Sequence, residues 1–329
     1  MRSRPAAAVL VDPADGSPPL VDRARDLAEL AIVGDDATLG SVLDEVEAVF
    51  AWEPRPSWLG RLATGAPGLR WIQAASDGVD HVLVPPLVAR GDVAVTNARG
   101  VFEAPIAEWI VGAMLAMTTG LHRSIVDQGA RRWGTGRSTE RLAGRHLVLV
   151  GPGPIARETA TRALALGMTV EAVGREERDD ATFGGVHGPD RFHETLGRAD
   201  VVLDALPLTS ATRGMFDAAA FAAMRPGTRF INVGRGGTVD EPALVDALDR
   251  GHLGGAALDV FAIEPLPPEH PLWAMPNVIV SPHACGDVDG WEAAVVGIFL
   301  DNLGRFVRGE PLRNLVDVQA GFGIGDAPA

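Results

Sequence analysis

An apolar strand that runs straight into a glycine turn and then a helix constrains this chain most. Leu147-Val148-Leu149-Val150 is followed by Gly151-Pro152-Gly153, and then by Pro154-Ile155-Ala156-Arg157-Glu158-Thr159-Ala160. A strand–turn–helix of this kind is the start of a parallel α/β sheet, and a pyrophosphate can sit over Gly153, where helix N–H groups and the helix dipole favour an anion. The third glycine of the fingerprint is replaced by Ala156, which the turn tolerates. Pro154 suits the first helical position but has no N–H to offer, so one backbone contact to a phosphate is lost. Taken alone, the pattern is also that of any tight strand-to-helix turn.

The end of the next strand sets the type of nucleotide. Residues 168–173 form that strand, and Gly174-Arg175 stands where an acid would hold an adenosine ribose. An arginine there suits a 2′-phosphate, so NADP(H) is the expected cofactor. The open alternative is that Glu176 or Glu177 reaches the ribose hydroxyls through a shifted loop, giving NAD(H) or dual use.

Three segments in the last third of the chain supply a guanidinium, a carboxylate and an imidazole. They are Asn232-Val233-Gly234-Arg235-Gly236-Gly237, Leu258-Asp259-Val260-Phe261-Ala262-Ile263-Glu264-Pro265 and Ser281-Pro282-His283. Each polar residue follows an apolar run read as a buried strand, 229–233, 255–258 and 277–280, and strand ends are where open α/β sheets place their sites. Singly, each is an ordinary loop residue; together they fit reduction of a 2-oxo acid. The planar fork of Arg235 can bind the carboxylate and polarise the neighbouring carbonyl. His283 can give a proton to the developing alkoxide and retrieve it in reverse. Glu264 can hold the far imidazole nitrogen, fixing the tautomer and favouring the charged ring.

These segments, with Gly78-Val79-Asp80, Thr96-Asn97-Ala98-Arg99-Gly100, Leu206-Pro207-Leu208-Thr209 and Met224-Arg225-Pro226-Gly227, resemble the D-isomer-specific 2-hydroxyacid dehydrogenases over nearly the whole chain. The resemblance implies that Arg235, Glu264 and His283 are catalytic and that Asp259 contacts the nicotinamide carboxamide. It also implies a cofactor site drawn from Gly151, Gly153, Pro154, Ile155, Arg175, Leu206, Pro207, Val233, Gly234, Asp259 and Gly286. Asp77 and Gly78 resemble the loop that receives the substrate carboxylate, although Asp77 stands where the family has a small residue. An anion there repels the substrate unless it is turned away, for example to cap the next turn. The implied activity is an NAD(P)H-dependent 2-oxo acid reductase of the glyoxylate/hydroxypyruvate type. The longer phosphoglycerate dehydrogenase type is not expected, since no regulatory domain follows residue 329. The second function class is a dinucleotide-sensing binding protein on the same fold, as in the family's co-repressor relatives.

Composition narrows this further. At 329 residues the chain is long enough for about two domains, and 47% apolar content suffices for two cores. A net charge of −14 argues against nucleic-acid or anionic-membrane partners. All 29 basic residues are Arg and there is no Tyr, which excludes Schiff-base lysine and tyrosine acid/base chemistry. A single Cys excludes an intramolecular disulfide and fits a reducing cytoplasm. No metal site is expected. The apolar run at 6–11 is too short for a secretory core of roughly 7 to 15 residues, and the run at 105–117 contains Glu108 and falls short of the roughly 20 needed to span a bilayer.

Strand-like runs at 6–11, 27–33, 48–52, 71–75 and 93–96 predict a small doubly wound domain. Those at 147–150, 168–173, 201–203, 229–233, 256–258 and 278–280 predict a second. An amphipathic stretch at 289–307 is expected to return to the first. The organisation is thus α/β, with a Rossmann cofactor domain at 98–286 inserted in a flavodoxin-like substrate domain made of 1–97 and 287–329, and with the site in the cleft between them. Residues 120–145 resemble the family's dimerisation arm, which makes a homodimer the expected assembly and a surface loop the alternative. The tail after residue 316 is expected to fray.

Overall fold

All the main strands of this protein are parallel and fall into two sheets. The computed structural model describes residues 4–134 and 139–323, and the chain divides into one unit of Met1–Phe102 with Asp289–Ala329 and a second of Glu103–Val288.

The first unit contains β1 (Ala6–Leu10), β2 (Glu29–Val33), α1 (Asp36–Val42), β3 (Val46–Ala51), α2 (Pro56–Gly65), β4 (Trp71–Ala74), α3 (Pro85–Arg90) and β5 (Ala94–Thr96). Its sheet has the order β2-β1-β3-β4-β5, the flavodoxin-like arrangement. Helices cover both faces, so the strands are short, continuous apolar runs. Trp58, Leu59 and Leu62 of α2 cover one face.

The second unit contains α4 (Glu103–Thr119), α5 (Leu121–Gly129), β6 (His146–Val150), α6 (Pro154–Ala165), β7 (Thr169–Val173), β8 (Val186–His187), α7 (Phe192–Leu196), β9 (Val201–Asp204), α8 (Ala218–Ala223), β10 (Arg229–Asn232), α9 (Glu241–Asp249), β11 (Gly255–Leu258) and β12 (Val278–Val280). Its sheet runs β12-β11-β10-β9-β6-β7-β8. The order reverses between β6 and β9, which is the switch point where Rossmann sheets bind nucleotides beyond the strand ends. These are the two doubly wound parallel sheets that the sequence pattern predicts.

The chain then returns to the first unit in α10 (Trp291–Arg308), β13 (Val316–Asp317) and β14 (Phe322–Gly323). Val295, Phe299 and Leu303 recur at helical spacing, and with Val296 they pack on Phe50 and Trp71. The Phe299 ring stacks on Phe50 at 4.4 Å.

The structure differs from the sequence expectation in three places. The first boundary falls at Phe102/Glu103 rather than at 97/98, because Ala98 N–H donates to Ser76 O and Asn314 Nδ2 donates to Arg99 O, which ties residues 97–99 to the first unit. The segment after residue 316 is paired as the β13–β14 hairpin as far as Gly323. The two-residue edge strand β8 is too short to read from periodicity. It is fixed instead by Glu171 of β7, whose carboxylate accepts from His187, His146 and Arg198. Burial works against this carboxylate, but those donors outweigh it and hold Glu171 down to about 2.

Among the described residues no single helix is long and apolar enough to cross a membrane. The α4–α5 pair passes on length and composition but is bent by 73°, and α4 buries Ile106, Ile110, Met114 and Met117.

One buried polar knot joins the returning chain to the first sheet. Asn302 Nδ2 donates to Gln73 Oε1 at 3.0 Å and to Arg313 O at 3.1 Å, while its Oδ1 accepts from Arg313 N–H at 2.8 Å. Asn302→Ala leaves buried partners unmade, and a loss of about 2 kcal/mol is expected. Urea unfolding of the variant against wild type measures it, and a difference below about 0.5 kcal/mol shows that the knot adds nothing.

Candidate active site

The turn after β6 is shaped by close backbone contact. Gly151 has φ 93°, and a Cβ there would lie 2.8 Å from Ala205 O, so only glycine fits. Gly153 is the N-cap of α6 and has no side-chain cap, and a Cβ on it would meet open space. With Pro154 at the first position, the first-turn donors are the N–H groups of Ile155 and Ala156. An uncapped helix end under open space fits a diphosphate.

Arg175 follows β7 and is exposed, as are Glu176 and Glu177. The acid farther along this loop is engaged elsewhere: Arg157 Nη2 lies 2.6 Å from Asp180 Oδ2, and Arg157 holds the Asp180 carboxyl below its usual range. After β9, Leu206 N–H donates to Asp204 Oδ1 at 3.0 Å and Pro207 O accepts from Thr212 Oγ1 at 2.6 Å.

Arg235 follows β10 and leads a short 3-10 turn, Gly236–Thr238. A Cβ on Gly236 would sit 1.9 Å from the Phe261 carbonyl carbon, so the arginine turn presses directly on the loop after β11. Val233 is buried, and Gly234 N–H donates to Asn232 Oδ1 at 2.9 Å. Asn232 Nδ2 donates to Arg235 O at 3.2 Å, and the guanidinium Nη1 donates to Gly234 O at 2.8 Å.

Glu264 lies in the loop after β11 and His283 in the loop after β12. His283 Nδ1 and Glu264 Oε2 are 2.8 Å apart, with side chains 48% and 36% exposed. Glu264 Oε1 accepts from Phe261 N–H at 2.8 Å. Because a carboxylate only accepts, His283 Nδ1 carries the hydrogen and Nε2 is left for other chemistry. The Glu264 bond raises His283 above its ordinary value of 6.5, outweighing burial. Burial pushes Glu264 up, but the bonds from His283 and Phe261 prevail and lower it. The charge of Arg235 acts on both groups.

His283 has φ 56°, in the left-handed region. Asp259 fixes the loop just beyond it. This residue is 1% exposed, and its Oδ1 accepts from the N–H groups of Ala284 and Cys285. Cys285 and Gly286 are buried. Burial, with Asp259 beside it, pushes the Cys285 thiol far up, so it stays a thiol and is no nucleophile.

Arg235, Asp259, Glu264 and His283 thus share one end of the second unit's sheet, with the Gly151 turn and Leu206 beyond the neighbouring strands. Asp77 and Gly78 belong to the first unit. There Asn97 Nδ2 donates to Asp77 O at 2.7 Å and to its Oδ1 at 3.0 Å, and Ser76 Oγ donates to Gly78 O at 2.8 Å. Sequence reasoning missed the residues beneath Arg235: Asn232, Asp204 and Thr238. Asn232 and Asp204 were signalled by closing the apolar runs of β10 and β9, whereas Thr238 had no local signal.

A family model described as D-isomer specific 2-hydroxyacid dehydrogenase, NAD binding domain, matches residues 111–285. The (S)-sulfolactate dehydrogenase of Chromohalobacter salexigens is 36% identical over 244 residues, 73% of this chain and 78% of that protein. The glyoxylate reductase of Thermofilum pendens is 33% identical over 74% of each. A crystal structure of an NADPH-dependent glyoxylate/hydroxypyruvate reductase from Sinorhizobium meliloti, in complex with NADP and sulfate, superposes with TM-score 0.82 at 29% identity, over 96% of this chain and 100% of that one. The chain therefore belongs to the D-isomer specific 2-hydroxyacid dehydrogenase family.

Proposed function

We propose that this protein is an NADP(H)-preferring reductase of small 2-oxo acids of the glyoxylate/hydroxypyruvate type. The observation that carries the reading is the 2.8 Å bond from His283 to Glu264, which raises the imidazole beside the charge of Arg235. The nucleotide is held by the α6 N-terminus after Gly151 and Gly153, by Ile155, by Leu206 and Pro207, by Val233 and Gly234, and by Gly286, with Arg175 at the 2′-phosphate. When bound, it supplies the hydride. The Sinorhizobium meliloti reductase, solved with NADP, supports this choice of cofactor. A sensing role on the same fold needs no raised imidazole, and the relatives named above are enzymes.

Arg235 binds the substrate carboxylate and draws electron density from the carbonyl at C2. His283, protonated, donates from Nε2 to the oxygen that becomes the hydroxyl, and retrieves that proton in the oxidative direction. Glu264 keeps the hydrogen on Nδ1 and stabilises the charged ring. Asp259 secures the loop that carries the ring.

Oxidation of NADPH and NADH is to be followed with glyoxylate, hydroxypyruvate, pyruvate, phenylpyruvate and 3-sulfopyruvate. Turnover of glyoxylate or hydroxypyruvate with NADPH supports the proposal; tight nucleotide binding with no turnover on any of them overturns it. His283→Ala is expected to lower kcat by about 10² or more, and near-normal turnover removes the assigned role. The sign of the pH effect follows from the raised imidazole. Reduction needs the charged ring, so its rate falls as pH rises through a value above 6.5, and oxidation rises over the same window. Glu264→Gln removes the charge that favours the imidazolium, so its pH profile shifts to lower pH; an unmoved profile refutes the pairing. Arg175→Ala is expected to weaken NADPH by about 10-fold or more, the worth of a charge-assisted contact, and NADH little. Equal losses refute the 2′-phosphate assignment.

We further propose a homodimer in a reducing cytoplasm, assembled through the segment from Leu115 to Trp133. Leu115, Leu121, Ile125 and Val126 are exposed there, and Trp133 is 93% exposed, an apolar run of the kind that marks an interface. It borders a groove of about 900 Å³ lined by His122, Arg132, Trp133, Arg229 and Asn277, at the sheet edge opposite Arg235. Part of the 120–145 arm, residues 135–138, lies outside the described residues. Ile125→Asp is expected to shift sedimentation from dimer to monomer, and an unchanged profile excludes this face.

A further inference from the structure

Asp204 closes β9 beneath the arginine turn and is fully buried, at 0% exposure. In register it lies between Val150 on β6 and Asn232 on β10. Its Oδ1 accepts from Leu206 N–H at 3.0 Å, and its Oδ2 lies 2.5 Å from the Thr238 hydroxyl. The same hydroxyl lies 2.6 Å from the carbonyl oxygen of Arg235. A threonine hydroxyl has one proton to give. Were Asp204 a carboxylate, both neighbours of that hydroxyl would be acceptors only, and one of the two close oxygen–oxygen contacts would hold no proton. With its Oδ1 already accepting from Leu206, the missing proton belongs on Oδ2.

We propose that Asp204 is a neutral carboxylic acid whose Oδ2–H donates to Thr238 Oγ, freeing the Thr238 hydroxyl to donate to the Arg235 carbonyl, so that Asp204 is a positioning residue for the Arg235 guanidinium. Its catalytic consequence rests on the reductase reading above; its protonation does not.

The environment favours the neutral form. Burial raises the Asp204 carboxyl to about 7, against the bonds from Thr238 and Leu206 that favour the anion. Val150, Asn232 and Thr238 are not ionisable. The ionisable residues that the packed elements bring to this end are Arg235, on the same turn as Thr238, Asp259 and Glu264 in the loop after β11, and His283 in the loop after β12. As pH rises through about 7, Asp204 loses its proton to solvent and the Thr238 hydroxyl turns to donate its hydrogen bond to the carboxylate. The Arg235 carbonyl then loses a donor and the anchor for the substrate carboxylate loosens. The loss appears in KM for the 2-oxo acid, whereas titration of His283 appears in kcat.

The test has two parts on the full-length chain. Carbon-13 NMR of aspartate-labelled protein, with Asp204→Asn identifying the signal by difference, reads the proton directly. A titration near 7 is expected, and one in the ordinary range near about 4 overturns the proposal. Steady-state kinetics with NADPH and the best 2-oxo acid reads the positioning. Thr238→Val and Asp204→Ala are expected to raise KM by about 10-fold with a smaller change in kcat. Asp204→Asn, whose amide can donate to Thr238 and accept from Leu206, restores KM to within about 3-fold and removes its alkaline rise. An asparagine variant as impaired as the alanine one, or a KM that rises with pH in both wild type and Asp204→Asn, overturns the positioning role. Absence of turnover in wild type sinks the reductase reading instead, and the carboxyl titration still decides the state of Asp204. If Asp204→Ala does not fold, Asp204→Asn and Thr238→Val carry the kinetic comparison.

Discussion

Everything chemical in the second unit depends on its strands all pointing the same way. A parallel strand must be followed by a crossover before the next one begins, so every loop that leaves a strand's C-terminal end collects on one edge of the sheet. Gly151 leaves β6, Leu206 leaves β9, Arg235 leaves β10, Glu264 follows β11 and His283 follows β12. These residues are spread over more than a hundred positions of sequence, yet the sheet order β12-β11-β10-β9-β6 places their strands side by side. Gly236 tightens the arrangement, because a backbone with no Cβ can lie directly on the carbonyl of Phe261. The arginine turn and the glutamate loop therefore touch through main chain, with no flexible side chain setting the gap.

Glu264 and His283 face each other from two loops, and both are partly exposed. An isolated ion pair with that exposure is worth little, because water screens it and two side chains lose freedom. Here the freedom is removed by other contacts. Phe261 N–H holds one oxygen of Glu264, and Asp259 holds the two N–H groups that follow His283. The bond thus acts on the imidazole's tautomer and charge more than on the stability of the fold, which is what an acid/base residue requires.

The legible parts of this chain were those with a local signature. The Gly151 turn, the apolar strands and the helical spacing of Val295, Phe299 and Leu303 are all written within a few neighbouring residues, so the fold class was readable from them. Arg235, Glu264 and His283 were readable as candidates because each breaks an apolar run with a group of distinct chemistry. Thr238 was not, since a threonine in a glycine-rich turn has no meaning until Asp204, 34 positions earlier, is brought against it. The edge strand β8 was hidden for the same reason, being defined by Glu171 on a neighbouring strand. The first boundary shifted because Asn314, more than two hundred residues away, holds Arg99 to the first unit. Contacts of this kind are set by topology, and no window of sequence contains both partners.

The charge balance bears on how such a site meets its ligands. A chain of net charge −14 does not attract a nucleotide diphosphate or a 2-oxo acid from a distance, and beyond about 10 Å at ordinary ionic strength the field is screened in any case. Capture must come from short-range groups. Many of the arginines are committed to carboxylates, as in Arg157 with Asp180, Arg198 with Glu171 and Arg229 with Glu140. The contacts that fix the Arg235 turn include three to backbone oxygen: Asn232 and Thr238 reach its carbonyl, and its guanidinium reaches the carbonyl of Gly234. Carbonyl oxygens carry only partial charge, so these particular bonds aim the side chain and cancel little of its charge. A neutral Asp204 serves the same end, since a buried carboxylate under that turn would offset the positive charge that a substrate carboxylate has to find.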